Sequence, residues 1–338
     1  MAHQFDSGLF VNSDLHKEWH GLGTVIDTAP KTTAEAMELA GMNWTVDESP
    51  VITMPAAGVK PILVPGWKCL IRSDNKEVLH VAKDTWTPVQ NAQAFSWFDP
   101  FIQDGDASIS AAVSLQGGKR IAITAKLKDG IGDVTNGDPI EAYLLLFNSH
   151  DGTLCLGIKY TNIRVVCHNT LSMNLHGMKA NSIAGGGDME WATKYVKLRH
   201  TSSIHDNLAA VQDAIDLSKR GFKYTLEEYR AMSKVDLNTE LFRKYLTTVF
   251  EADIPKDKTI EDLRCYDSIS KNFESGVGSD IAGKTLWGAY NAVTEWTSHQ
   301  RGGAENDIES TRNRLNSLWF GASEKTNAIA HQAALAMV

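Results

Sequence analysis

The feature that most constrains this chain is a change of hydrophobic period part-way along it. From Trp44 to Val166 apolar and polar residues alternate mainly at period two; beyond residue 169 the apolar positions recur three and four apart. Period two sends successive side chains to opposite faces of a strand, whereas a period near 3.6 gathers them along one stripe of a helix. The pattern predicts an α+β fold. A β-rich N-terminal half carries a mainly antiparallel, twisted sheet, and a helical C-terminal half packs on it.

Individual segments sharpen this. Trp67 to Arg72 and Glu77 to Ala82 read as strands joined by a Ser73-Asp74-Asn75 turn. The clearest strand is Lys119 to Lys128, with Ile121, Ile123, Ala125 and Leu127 on one face and Arg120, Ala122, Thr124, Lys126 and Lys128 on the other. Ala142 to Phe147 is continuously apolar, as a central strand covered on both faces would be. Leu154 to Val166 supplies one long bent strand or two short ones after an Asn148–Gly152 turn. A helix is predicted from about Thr33 to Gly41, capped by Thr32 or Thr33, and a short one follows Pro88. In the second half, Ile204, Leu208, Val211 and Ile215 form a helical row; so do Leu241, Tyr245 and Val249, and Leu286, Tyr290 and Val293. The tail from Glu324 to Val338 is alanine-rich and helical in pattern. Ala184-Gly185-Gly186-Gly187-Asp188 separates the two regimes, which sets expected regions of 1–183 and 184–338, packed as one unit.

Composition bounds the function. With 43% hydrophobic and 22% charged residues the chain is ordinary globular protein, and a net charge of −8 means that any nucleic-acid contact must rest on a local patch. The N-terminus lacks the basic and apolar regions of a signal peptide, and no run of about 18 apolar residues exists, so a cytoplasmic protein without a membrane span is expected. Cys69, Cys155, Cys167 and Cys265 are scattered without a CxxC pair and read as reduced thiols.

Several segments together carry a resemblance. They are Trp19-His20-Gly21-Leu22-Gly23, Thr87-Pro88-Val89-Gln90-Asn91, Gly117-Gly118-Lys119-Arg120, Asn148-Ser149-His150-Asp151-Gly152, Arg164-Val165-Val166-Cys167-His168-Asn169-Thr170-Leu171, Arg199-His200-Thr201 and Ala292-Val293-Thr294-Glu295. In these the chain resembles an uncharacterised phage/plasmid-like protein family, a domain-of-unknown-function group carried on phages, plasmids and transferred islands. The resemblance covers about residues 1–335, and Arg164 to Leu171 is its most specific part. It implies origin more than chemistry, and it favours DNA replication, recombination or host takeover as the setting.

The candidate interface is a basic strand face. Lys68 and Arg72 share one face of their strand, Arg120, Lys126 and Lys128 one face of theirs, and Lys159 joins from the next. Such a face suits a phosphate backbone, and Trp86 and Tyr160 are candidate stacking platforms. The competing reading is a solvated sheet face, diluted by Asp129 and Asp133. Arg164 to Leu171 is expected to join a strand to a helix, with Asn169 or Thr170 as its cap and Arg164 beside an anion at the helix N-terminus; an ion-paired Arg164 and a core Cys167 are the structural alternative. Cys167 and His168 are adjacent, so in extended chain they point apart, which is no evidence for a nucleophilic pair. His150, His168, His176, His200 and His205 lack HExxH spacing, and the glycine clusters match neither GxxxxGK[ST] nor GxGxxG. No cofactor or metal is expected.

The sequence therefore leads to a DNA-metabolism protein that binds single-stranded DNA without ATP, anneals strands, and works as a homo-oligomer. Two alternatives stand beside it. One is a nucleotide- or nucleic-acid-processing enzyme built around His150, Asp151, His168 and His200; the other is an interaction protein that blocks a host factor.

Overall fold

The computed structural model describes residues 5–12, 22–54, 60–154, 156–171, 196–197, 205–302 and 308–338. In chain order its first half holds β1 (Phe5–Val11), β2 (Thr24–Ile26), α1 (Thr33–Leu39), β3 (Val46–Thr53), β4 (Ile62–Arg72) and β5 (Val78–Lys83). Next come α2 (Asn91–Ala94), a 3₁₀ turn at Ser96–Phe98, α3 (Asp99–Gln103), β6 (Ala107–Leu115), β7 (Arg120–Asp133), β8 (Pro139–Ser149), β9 (Gly157–Arg164), β10 (Asn169–Leu171) and β11 (Val196–Lys197). The second half is helical: α4 (His205–Met232), α5 (Thr239–Val249), α6 (Tyr266–Ser275), α7 (Ser279–Ala282), α8 (Leu286–Glu295), α9 (Ile308–Phe320) and α10 (Ala322–Leu335). The fold is α+β, as the change of period predicts.

The strands form two sheets rather than one. The large sheet runs β10-β9-β8-β7-β6-β1-β2, with β11 also paired to β9; the small sheet is β3-β4-β5. Every pairing is antiparallel except that of β1 with β2, so the large sheet is mixed. β7 shows why the alternation was informative: Ile121, Ile123, Ala125 and Leu127 are fully buried in the main core, and Ala122 turns into a second, smaller core behind the sheet. Against β8 the register of β7 breaks once. Lys126 faces Tyr143 and Ile131 faces Glu141, so a bulge takes up the residues between.

Helices cover the main-core face. α8 is buried at every position from Leu286 to Glu295, as a helix surrounded by other elements must be. Tyr229 of α4, Trp287 and Tyr290 of α8 and Ala330 of α10 share one core with Leu144 and Ile158 of the sheet. The second core is smaller: Phe10, Val113, Leu145 and Phe147 from the sheet meet Leu318 and Trp319 of α9.

Local signals explain the element ends. Thr32 caps α1, its hydroxyl accepting from the Glu35 N–H at 3.1 Å, and Gly41 follows at φ +71°. The single short helix expected after Pro88 is divided into α2, the 3₁₀ turn and α3. Phe95 leaves helical geometry at φ −128°, and Pro100 restarts the chain at the head of α3. The expected helix does not begin at Asn169 or Thr170, and residues 172–195 lie outside the described residues. Asn169–Leu171 pairs with Asn162–Arg164 as β10, so the Arg164 segment is a hairpin and neither Asn169 nor Thr170 caps a helix. The expected region boundary at 183/184 and the glycine run beside it lie outside the described residues, as do Trp19, His20 and Gly21, His176, and Arg199-His200-Thr201.

Candidate nucleic-acid interface

A cleft of about 600 Å³ opens beside the β7 bulge. Three pieces of chain build it: Ala29, Pro30 and Lys31 before α1, the end of α3 through Gly105, and the paired strand segments Ala107–Ser108 and Lys126–Lys128. Ser108 faces Lys126 across the β6–β7 ladder, and Ala107 faces Leu127. The Lys128 N–H donates to the Asp106 carbonyl at 3.0 Å, which holds the strand as it enters the bulge. Three lysines thus line one cleft, together with the exposed Gln103 and Ser108.

The three lysines are not equivalent. Lys126 is 2.5 Å from the buried carboxylate of Glu141, which also accepts from the Tyr143 hydroxyl at 2.8 Å. Its charge is largely spent within the protein. Lys31 and Lys128 are exposed, and among the described residues neither forms an ion pair. Acids stand nearby: the Glu35 carboxylate accepts from the Lys31 N–H at 2.7 Å, exposed Asp129 follows Lys128, and Asp106 meets Lys219 at 3.5 Å. Two free ammonium groups beside neutral donors are chemistry suited to phosphate oxygens.

The other expected interface residues lie elsewhere, and the single basic face is corrected. Lys68 and Arg72 belong to the small sheet. Lys68 pairs with Glu48 at 2.9 Å. Arg72 is buried between Asp6 at 2.6 Å and Asp74 at 2.7 Å, with its guanidinium 4.4 Å from the Trp44 ring centre. Arg120 and Lys159 do share the predicted face of the large sheet with Lys126, but α9 lies over their end of it. Arg120 donates to Asn316 at 2.8 Å, and Lys159 donates to the Trp319 carbonyl at 2.6 Å and pairs with Glu324 at 3.1 Å. Alternation assigns a residue to a face; it does not say what covers that face. Neither aromatic platform is open: Tyr160 is buried in the main core, and Trp86 is half-buried against it. Of the nine residues only Lys126 and Lys128 line the cleft. Lys31 was missed because it lies in a connection, where periodicity carries no information.

The Arg164 hairpin is a buried polar joint. Arg164 is 1% exposed and donates through Nε and Nη2 to both oxygens of Asp138, at 2.6 and 2.9 Å, and through Nη2 to the Gly278 carbonyl at 2.9 Å. Trp287 Nε1 donates to the same carboxylate at 2.8 Å. An arginine so engaged has little left for an outside anion. Asn169 donates to the Asn291 carbonyl at 3.2 Å, and His299 Nε2 lies 3.0 Å from the Cys167 carbonyl. His299 sits in a π-helical turn, Trp296–Gln300, that continues α8.

Electrostatics argue against nucleophilic chemistry there. Burial pushes the Cys167 thiol up to about 11, so it stays protonated at neutral pH. Burial likewise pushes His299 down to about 4, only partly opposed by its hydrogen bond to Cys167, so the ring is neutral. His168 takes φ +55° at the turn, and His150 is buried, bonded to Asn91 at 2.8 Å and edge-on to Trp44. Among the described residues no group of histidine, cysteine and carboxylate is arranged to hold a metal ion, and no helix is long and apolar enough to cross a membrane.

Comparison with known proteins agrees with the family resemblance at a coarser level. No curated protein and no solved structure matches the chain. Residues 78–319, from β5 to the end of α9, match the model of a domain of unknown function, DUF932. Because that match spans well over half of the sequence and takes in the Arg164 hairpin, the cleft strand β7 and the helical layer, the chain belongs to the DUF932 family.

Proposed function

We propose that this protein binds single-stranded DNA without ATP, with the Lys31–Lys126–Lys128 cleft as the point where it grips the phosphate backbone. The observation that carries the reading is that three lysines line one cleft, two of them exposed and with side chains in no ion pair among the described residues. A chain with a net charge of −8 repels polyanions over most of its surface, so an unneutralised basic cleft is where one would dock. The resemblance to phage- and plasmid-borne proteins supplies the setting: DNA metabolism of a mobile element in the host cytoplasm, carried out by an assembly of several copies, with strand annealing as its outcome. The large sheet, half covered by helices, is the platform that orders the cleft.

The test is fluorescence anisotropy of a labelled oligo-dT, with a duplex as comparison, across a salt series. Two free ammonium groups predict a slope of log affinity against log salt of about −1.4 for a single strand. Lys31→Ala with Lys128→Ala should remove most of the slope and weaken binding at least tenfold at low salt. No binding at low salt, or a double variant that binds as the parent does, overturns the reading.

A further inference from the structure

We infer that Glu141 sets how strongly the cleft grips a polyanion, by keeping one of its three lysines, Lys126, neutralised. The inference concerns the regulation of that cleft and rests on the proposed reading of it.

The β7–β8 ladder explains why Lys126, and not Lys128, is the lysine held back. Lys126 faces Tyr143. In an unbroken antiparallel register each step forward on one strand is a step back on the other, so Lys128 would face Glu141. The bulge prevents this. Glu141 faces Ile131 instead, and residues 127–130 of β7 have only Ala142 opposite them. Lys128 therefore loses the carboxylate that a regular ladder would set against it. It is exposed and forms no ion pair among the described residues.

Lys126 keeps its place in the ladder. It sits opposite the exposed cleft residue Ser108, on the same face of the β6–β7 pair. Its Nζ lies 2.5 Å from Glu141 Oε1, and the Tyr143 hydroxyl donates to the other oxygen of that carboxylate at 2.8 Å. The Lys126 side chain is 26% exposed and that of Glu141 1%. The lysine thus borders the cleft while its counter-ion is buried behind it, where no solute can displace the pair from outside.

The consequence is one of charge. A carboxylate in contact with an ammonium group cancels most of its field at the distance of a bound phosphate. Lys31 and Lys128 remain as free charges, so three lysines act as two. A buried ion pair is weak evidence for stability, because desolvation offsets its attraction. Its effect on the charge of the cleft has no such offset.

Glu141→Gln tests this. The amide keeps the size of the side chain, accepts from Lys126 and donates to the Tyr143 hydroxyl oxygen, but carries no charge. Anisotropy of labelled oligo-dT across a salt series should give a slope of about −1.4 for the parent and about −2.1 for the variant. At about 50 mM salt the variant should bind roughly fivefold tighter, the effect of one further phosphate contact. Adding Lys126→Met to Glu141→Gln strands no buried charge and should return slope and affinity to the parent values. A Glu141→Gln protein that keeps the parent's circular dichroism but binds with the parent's slope, or more weakly, overturns the inference and leaves the grip by Lys31 and Lys128 standing. So does a gain that survives the loss of Lys126. If neither the parent nor Glu141→Gln binds at low salt, the inference falls together with the reading on which it rests.

Discussion

Arg164 and Asp138 form a buried pair whose loss is asymmetric. Asp138 is fully buried and takes hydrogen bonds from two arginine nitrogens and from Trp287. Removing the carboxylate strands a guanidinium with no route to water. Asp138→Ala should therefore lower unfolding free energy by about 3–5 kcal/mol, read from urea denaturation; a loss below about 1 kcal/mol would show that the joint is not a keystone. His299 yields a prediction with a sign. Its folded pKa is near 4 against 6.5 for the free group, because burial disfavours the charged ring. As pH falls through 6.5 the unfolded chain takes up a proton that the folded chain refuses until about 4. Stability is thus full above pH 6.5 and drains between 6.5 and 4, by about 3 kcal/mol for this one group. Carboxylates titrate in the same range, so the comparison is with His299→Gln: the parent should lose more stability than the variant between pH 7 and 4.5. Equal losses would dismiss the assignment.

At the level of elements, the β6–β7 turn links the two sheets. Gly118 has φ +90°, and a Cβ there would stand 2.9 Å from the Trp44 ring and 3.0 Å from Arg72. Gly118→Ala meets both a disfavoured backbone and a packed cation–aromatic pair, so a loss of about 2 kcal/mol is expected in thermal or urea unfolding; an unchanged midpoint would mean that the small sheet moves freely on the large one. The strands and helices with regular periods were legible from sequence: β7, β8 and α1, and α5 with its Leu241–Tyr245–Val249 row. β1 was not. Phe5–Val11 carries Asp6, Ser7 and Gly8 at its centre, and Asp6 is there to pair with Arg72 rather than to alternate. Nor was β10, because Asn169 looks like a cap but is buried against α8. The site was half legible for the same reason. Lys126 and Lys128 follow from alternation along one strand, whereas pairing of Lys126 with Glu141, the cover of α9 over Arg120 and Lys159, and the arrival of Lys31 from a connection are all tertiary.

For the whole molecule the consequence is cooperativity. The main core does not divide at the change of period: Leu144, Ile158 and Tyr160 of the sheet touch the same cluster as Tyr229, Trp287, Tyr290 and Ala330 of the helices. The sheet face buried there is covered in part by α1 and α3 of the first half and for the rest by α4, α8 and α10, and α8, buried on all sides, has no face with which to meet solvent. Each half completes the other, so neither can lose its packing while the other keeps it. Calorimetry should show one transition with calorimetric and van't Hoff enthalpies in agreement. The sharper test places the perturbation in one half and the probe in the other. Trp287→Ala empties a fully buried site in the helical half and should cost about 3–5 kcal/mol. Hydrogen exchange of the β7 and β8 amides should then accelerate by the factor that the drop in global stability dictates, since their slowest exchange passes through global unfolding. If those amides kept their protection while α8 lost it, the halves would be separate folding units and the shared core would be only a contact between them.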